Sequence, residues 1–377
     1  MIYLDYSATT PVLPEVLNSY NKVTIDYFGN PNSMHSLGVK SHELLTSATK
    51  QISKILNIKE DEIIYTSGST ESNNLALIGL AMAKGKPGSH IIVSKLEHES
   101  IYGICKYLEN NGFIVDYVDN TIEGVIDLEN LKQLITKNTI LVSICAVNSE
   151  TGIRQPLKII KQIINKENPN TIFHSDMTQA AGKVPINLND VDMASFSGHK
   201  IYGPKGIGML YKKTGINIKP LLYGSNNDIR PGTPPLPLIV AFSKALRIAE
   251  EDLSAKEEKI KKYNERICKY LEKYPKIKIN KTKYSIPNIL NISLMNIKPE
   301  TFIHALEKHG VYVSSNTACS SGKISAAVLN LYRDKVRALT TIRISLSYLT
   351  TNEEITEFLK IFDNVYNKLM ELAYAWV

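Results

Sequence analysis

The chain has 377 residues, 43% of them hydrophobic and 21% charged, with 20 Gly and 16 Pro. That is globular composition, and it excludes disordered, collagen-like and low-complexity readings. The formal net charge of +7 is spread along the chain without a long basic run, so direct nucleic-acid binding is not expected.

Short β-branched runs alternate with helical patterns over the first two-thirds. Strands are predicted at Ile63–Thr66, Ile91–Ser94, Val115–Val118, Ile140–Val147, Ile172–Ser175, Met193–Phe196 and Gly208–Tyr211. Helical stretches such as Glu71–Ala83, Ser100–Asn110 and Lys158–Asn165 lie between them. The alternation predicts an α/β fold with a mainly parallel seven-stranded sheet, whose ligands sit beyond the carboxyl ends of the strands. Beyond the Pro-rich stretch Pro231–Pro237, residues Phe242, Leu246, Ala249, Leu253, Ile260, Tyr263 and Ile267 recur at helical spacing, which predicts one long amphipathic helix. Further strands at Ile289–Leu294 and Ile342–Leu346 precede a last helix opened by the capping-box pattern T-N-E-E at Thr351–Glu354. The expected division is a large domain over residues 15–240 and a smaller α/β domain made of 1–14 and 241–377.

The cysteines, Cys105, Cys145, Cys268 and Cys319, are far apart and form no C-x-x-C, so neither a disulfide framework nor a zinc cluster is expected. The start M-I-Y-L-D has no basic segment followed by an apolar core, and the longest apolar run, Leu75–Ala83, is too short to span a bilayer. The expectation is a soluble cytoplasmic protein without membrane contact.

Four predicted strands end in polar residues: T-S-G-S-T from Thr66, N-S-E-T-G from Asn148, H-S-D from His174 and S-G-H-K from Ser197. At one rim they would form a binding cleft. Lys200, in a tight turn at a strand end, is a Schiff-base candidate, and Ser197 and His199 beside it offer donors to a phosphate. S-G-S-T-E-S (Ser67–Ser72) follows a strand and opens a helix, so free backbone N–H groups and hydroxyls there also suit a phosphate. Asp176 places a carboxylate at the same rim, where it would keep a pyridine nitrogen protonated, with Gln179 one helical turn on. His98, in L-E-H-E-S, would stack on a planar ring or shuttle a proton. Each has a plain structural alternative: a solvated Lys, an N-cap, a capping Asp, a structural His. Together they describe a pyridoxal phosphate site.

The strings M-I-Y-L-D-Y-S-A-T-T-P, G-N-P-N-S-M-H, T-S-G-S-T-E-S-N-N, V-N-S-E-T-G, S-F-S-G-H-K-I-Y-G-P-K-G-I-G and S-S-N-T-A-C-S-S, in that order from Ile2 to about Thr351, resemble the NifS/IscS cysteine desulfurases, of the class V, fold-type I pyridoxal phosphate transferases. The resemblance implies pyridoxal 5'-phosphate on Lys200, its ring nitrogen paired with Asp176, its ring oxygen bonded by Gln179 and its face stacked by His98. It implies phosphate contacts from Thr70, Ser197 and His199, with Ser69 nearby. Thr233 would reach the phosphate of the other subunit in a homodimer, and Arg343 would grip the carboxylate of L-cysteine. Cys319, in a run of small polar residues that reads as a loop, would be the nucleophile that takes sulfur as a persulfide, with Lys200 and His98 moving protons. No resident metal is implied; a transferred iron–sulfur cluster would be a cargo at Cys319. The sulfur acceptor would be an iron–sulfur scaffold, a tRNA-thiolating enzyme or a thiamine-pathway carrier, among which the sequence does not choose. Two departures stand out: Ser149 occupies the place of the family's second Asn, expected at the ring oxygen and substrate carboxylate, and Y-G-S-N-N-D-I-R precedes Pro231. Selenocysteine lyase, another class V reaction and a non-catalytic acceptor-binding scaffold are the competing readings.

Overall fold

The computed structural model describes residues 1–224, 228–315 and 324–374. Its strands are β1 (Ile2–Tyr3), β2 (Ile63–Thr66), β3 (His90–Ser94), β4 (Ile114–Val118), β5 (Thr139–Ser143), β6 (Ile172–Asp176), β7 (Met193–Ser197), β8 (Gly208–Lys212), β9 (Lys278–Ile279), β10 (Ile289–Ser293), β11 (Val311–Tyr312) and β12 (Thr341–Ser345). Seven form one sheet in the order β2-β8-β7-β6-β5-β3-β4. β3 to β7 pair in parallel, while β8 is antiparallel to both β7 and β2. A strand antiparallel to both neighbours leaves those neighbours parallel to each other, so β2, β3, β5, β6 and β7 all end at one rim. The expected mainly parallel sheet is present, with β5 shorter than the run Ile140–Val147.

Helices cover both faces, which is why the central strands read as nearly unbroken apolar runs. On one face, helices Pro14–Asp26, Ser36–Leu56 and Leu236–Glu250 bury Val16, Ile52, Phe242 and Leu246 against Ile92, Phe173 and Phe196. On the other, helices Ser69–Lys84 and Glu99–Asn110 bury Leu77, Leu80, Ile104 and Leu108 against Ile91, Val93 and Leu210. β8 shows the two-residue alternation directly: Met209 and Tyr211 join the first cluster, Leu210 the second.

A separate core forms around the antiparallel sheet β12-β10-β9, under helices Leu253–Leu271, Pro299–Glu307 and Asn352–Tyr374, with Phe302, Phe358 and Phe362 fully buried. β1 pairs in parallel with β11, which draws Ile2 and Leu4 into this core. The last helix opens on the expected reciprocal cap: Thr351 N–H donates to Glu354 Oε2 at 2.9 Å and Glu354 N–H to Thr351 Oγ1 at 3.1 Å.

The predicted long helix is two. Helix Leu236–Glu250 stops, Asp252 takes a left-handed conformation (φ 49°), and a second helix runs Leu253–Leu271. The first packs Phe242, Leu246 and Ala249 onto the large sheet; the second packs Ile260 and Ile267 into the other core. A straight helix cannot present one stripe to both, and Asp is among the few residues that visit the left-handed region readily. The apolar spacing runs unbroken from Ala249 to Leu253, which conceals the break. Residues 241–249, expected with the smaller domain, therefore pack with the large sheet. Among the described residues no helix is long and apolar enough to cross a membrane.

Candidate active site

Thr66 at the end of β2 and Ser197 at the end of β7 both pair with Gly208, which sets the T-S-G-S-T and S-G-H-K turns side by side. The approach is close: a Cβ at Gly208 would lie 2.5 Å from Gly68 Cα and 2.5 Å from Phe196 O. Gly68 itself sits at φ 156° and caps helix Ser69–Lys84 without any side-chain bond, leaving the N–H groups of the first turn available. Beside Ser197 on the same rim, Asp176 pairs with Ser195.

A cavity of about 320 Å³ opens at this rim. Lys200, Asp176, Gln179 and His98 line it, as expected, and so do Ser69, Thr70, Ser149, His199 and Arg343. Ser197 is buried behind them, its hydroxyl near Gly68. Thr233 lies elsewhere, with Arg230 in a larger cavity of about 650 Å³ beside β2. Cys319 lies outside the described residues.

Both oxygens of Asp176 are held: Oδ1 accepts the Thr178 N–H and Oδ2 the Asn73 amide, each at 2.9 Å. Gln179 Nε2 donates to Ser7 O at 2.9 Å. Lys200 Nζ donates to the carbonyls of Ser7 at 2.6 Å and Ala8 at 2.7 Å. His199 Nδ1 lies 3.1 Å from Thr9 Oγ1, and burial, reinforced by the Lys200 charge, lowers its pKa to about 4. The imidazole is thus a neutral partner at the cavity wall. His98 caps helix Glu99–Asn110 by accepting the Ser100 N–H on Nδ1 at 3.1 Å; burial lowers its pKa against the opposing pull of Asp176. The one ring both caps the helix and lines the cavity.

Arg343 is fully buried. Its Nη2 pairs with Asp5 Oδ1 at 3.0 Å and its Nη1 donates to the Ser149 main-chain carbonyl at 2.9 Å. At the V-N-S-E-T-G turn, Asn148 does the structural work: its Oδ1 accepts from Glu150 N–H, Thr151 N–H and Thr151 Oγ1, and its Nδ2 donates to Leu96 O. Glu71 ties the two turns nearest Thr233 together, accepting from Ser67 N–H and pairing with Arg230 Nε at 3.0 Å.

Sequence reasoning missed Asp5, Ser7, Ala8 and Asn73. The first three belong to the quoted N-terminal string, whose position over the cavity had no local signal, and Asn73 lay in T-S-G-S-T-E-S-N-N without an assigned role. It also passed over Cys145, which lines the cavity. That thiol donates to Leu96 O at 3.3 Å, and burial raises its pKa well above a free thiol, which favours the protonated form over the thiolate.

Residues 2–358 match the family model described as Aminotransferase class-V. The chain belongs to the class V aminotransferase family. It is 40% identical over 391 residues to a NifS/IcsS protein homolog of Lactobacillus delbrueckii subsp. bulgaricus, covering 99% of both chains. It is 39% identical over 388 residues to a cysteine desulfurase IscS of Buchnera aphidicola subsp. Acyrthosiphon pisum, covering 100% of this chain and 95% of that one. A solved NifS-like protein superposes with a TM-score of 0.91 at 35% identity, covering 98% of this chain and 99% of the other. The fold is accordingly that of the fold-type I enzymes, and the cofactor of this family is pyridoxal phosphate. The cavity fits that group. Its wall carries one fixed carboxylate, one lysine amine and an uncapped helix N-terminus, and buried atoms of Thr178 (Oγ1), Gln179 (Oε1) and Arg343 (Nε) have no partner in the described chain.

Proposed function

We propose that the chain is a cysteine desulfurase that converts L-cysteine to L-alanine and carries the released sulfur as a persulfide on Cys319. The observation that carries this reading is the convergence of Lys200, Asp176, His98 and Arg343 on one cavity, in a chain alike over its full length to cysteine desulfurases. Amine, carboxylate, imidazole and guanidinium there are the groups that a cofactor-bound amino acid needs.

Bound pyridoxal phosphate supplies an electron sink for the charge left when the substrate loses its Cα proton. Every other part belongs to the chain. The helix N-terminus at Ser69 and Thr70, with Ser197 and His199, holds phosphate through N–H, hydroxyl and imidazole donors. Asp176, immobilised by Asn73 and Thr178, presents negative charge that stabilises a protonated ring nitrogen. Lys200, near the Ser7 and Ala8 carbonyls, takes the Cα proton, and neutral His98 relays a proton. Arg343 orients the substrate carboxylate, its own orientation set by Asp5 and the Ser149 carbonyl. Cys319 attacks the substrate sulfur. The Cβ–S bond breaks as the S–S bond forms, so cysteine plus thiol becomes alanine plus persulfide with atoms and electrons balanced.

Under this reading Thr233 completes the cavity of a second subunit, and a homodimer passes sulfur to an acceptor protein in the cytoplasm. The test is incubation of the cofactor-loaded protein with L-cysteine, measuring alanine and mapping trapped persulfide. Persulfide on Cys319 and its loss in Cys319→Ser, with the substrate-induced spectral change retained, is the expected result. Sulfur transfer by Cys319→Ser at the wild-type rate, or turnover of L-selenocysteine alone, would overturn the proposal.

A further inference from the structure

Two residues outside the expected site join its two sides. Asn73, fully buried in the first turns of helix Ser69–Lys84, uses Nδ2 twice, donating to Asp176 Oδ2 at 2.9 Å and to Ser100 Oγ at 3.1 Å. Ser100, in the first turn of helix Glu99–Asn110, meets His98 Nδ1 with both its backbone N–H at 3.1 Å and its hydroxyl at 3.0 Å. A backbone N–H aimed at Nδ1 can be received only by a lone pair. An unprotonated Nδ1 has no hydrogen to give, so in the 3.0 Å contact the Ser100 hydroxyl is the donor, while its oxygen accepts from Asn73. The neutral His98 ring then carries its proton on Nε2, a nitrogen with no hydrogen bond among the described residues.

Among the described residues the amide makes these two donations and accepts no hydrogen bond. Asn73 Oδ1 is buried without a partner among the described residues, which costs stability, whereas an apolar side chain would carry no such cost. The contribution of Asn73 lies in its two N–H bonds. The alternative orientation of the amide would set its oxygen against the Asp176 carboxylate, so the electrostatics fix the direction as well.

We propose that Asn73 and Ser100 are positioning residues that form one hydrogen-bonded bridge, coupling the Asp176 carboxylate to the His98 ring and holding His98 as the Nε2–H tautomer. The bridge limits rotation of Asp176 and leaves His98 Nε2 as the nitrogen that meets a ligand in the cavity. Its catalytic meaning rests on the desulfurase reading. Its geometry does not.

The test uses the full-length, cofactor-loaded protein with ¹⁵N-labelled histidine rings, His98 being assigned by comparison with His98→Gln. In the unaltered protein Nδ1 is expected to be unprotonated and Nε2 protonated. Ser100→Ala, a half-buried change that the fold tolerates, and Asn73→Ala should each move the His98 Nδ1 resonance more than that of any other histidine; Ser100→Thr should restore it. Each single variant should weaken cofactor retention about three- to tenfold. The double variant should lose no more than the worse single one, since either change already breaks the bridge. A proton found on Nδ1, a resonance unmoved in both variants, or losses that multiply would overturn the proposal. Neither readout involves turnover. A protein that passes both and releases no alanine from L-cysteine would defeat the desulfurase reading and leave the bridge standing.

Discussion

Removing Asp5 should expose how tightly Arg343 is set. The guanidinium is 1% exposed, and among the described residues its Nε is unpartnered and its one ion pair is to Asp5 at 3.0 Å. Asp5 itself is only 18% exposed, so solvent does little to screen the pair. Breaking a buried pair leaves the remaining charge without compensation, which costs about 3–5 kcal/mol, so Asp5→Ala should lose stability on that scale. Asp5→Asn keeps an oxygen for Arg343 Nη2 and forfeits only the charge; a hydrogen bond to a charged group is worth about 1.5–3 kcal/mol, and its loss should be smaller than that of Asp5→Ala by roughly this amount. Both variants free Arg343 to reorient, and an interaction shared by bound substrate and transition state shows in KM more than in kcat. Chemical unfolding followed by circular dichroism gives the stability, and alanine release gives KM for L-cysteine. An Asp5→Ala protein that loses less than about 1 kcal/mol and keeps its KM would refute the argument that Asp5 holds Arg343.

Lys200→Ala should abolish covalent cofactor attachment, and borohydride reduction of the unaltered protein should label Lys200; a pyridoxyl group on another lysine would refute the assignment. Ser149→Asn should change cofactor or cysteine affinity by no more than about tenfold, because one neutral hydrogen bond is at stake and the Arg343 contact is made by the main-chain carbonyl. His174 is held between Ser143 Oγ at 2.9 Å and Ser195 Oγ at 3.0 Å, and burial lowers its pKa to about 4. The unfolded chain, at the ordinary imidazole value near 6.5, binds the extra proton first, so stability present above about pH 6.5 is lost as the pH falls toward 4. Replacing it in His174→Gln should flatten that decline by up to about 1.4 kcal/mol per pH unit, read from unfolding midpoints across the window; an unchanged slope would show that the ring titrates normally.

Much of the site was legible because its signals are local. Polar residues at the ends of buried apolar strands mark a rim wherever helices cover both faces: Asp176 ends its strand, and Lys200 and the Ser69–Thr70 turn follow theirs by three or four residues. The Thr351–Glu354 cap could be read for the same reason, since both of its bonds close within three residues. The long-helix expectation failed where two cores compete for one continuous apolar stripe, a choice that spacing alone does not record.

What only the folded chain decided is how distant backbone meets these side chains. The Lys200 amine is held by carbonyls 193 and 192 residues away, and Arg343 by an aspartate 338 positions before it. Pairing of β1 with β11 draws the N-terminal strand into the second core, while Thr10 bonded to the His199 carbonyl ties the segment that follows to the Lys200 turn. Carbonyl oxygens are the same on every residue. Their placement therefore leaves no mark on residue type, and a reading of side chains passed over Ser7, Ala8 and the Ser149 carbonyl until tertiary pairing brought them to the cavity.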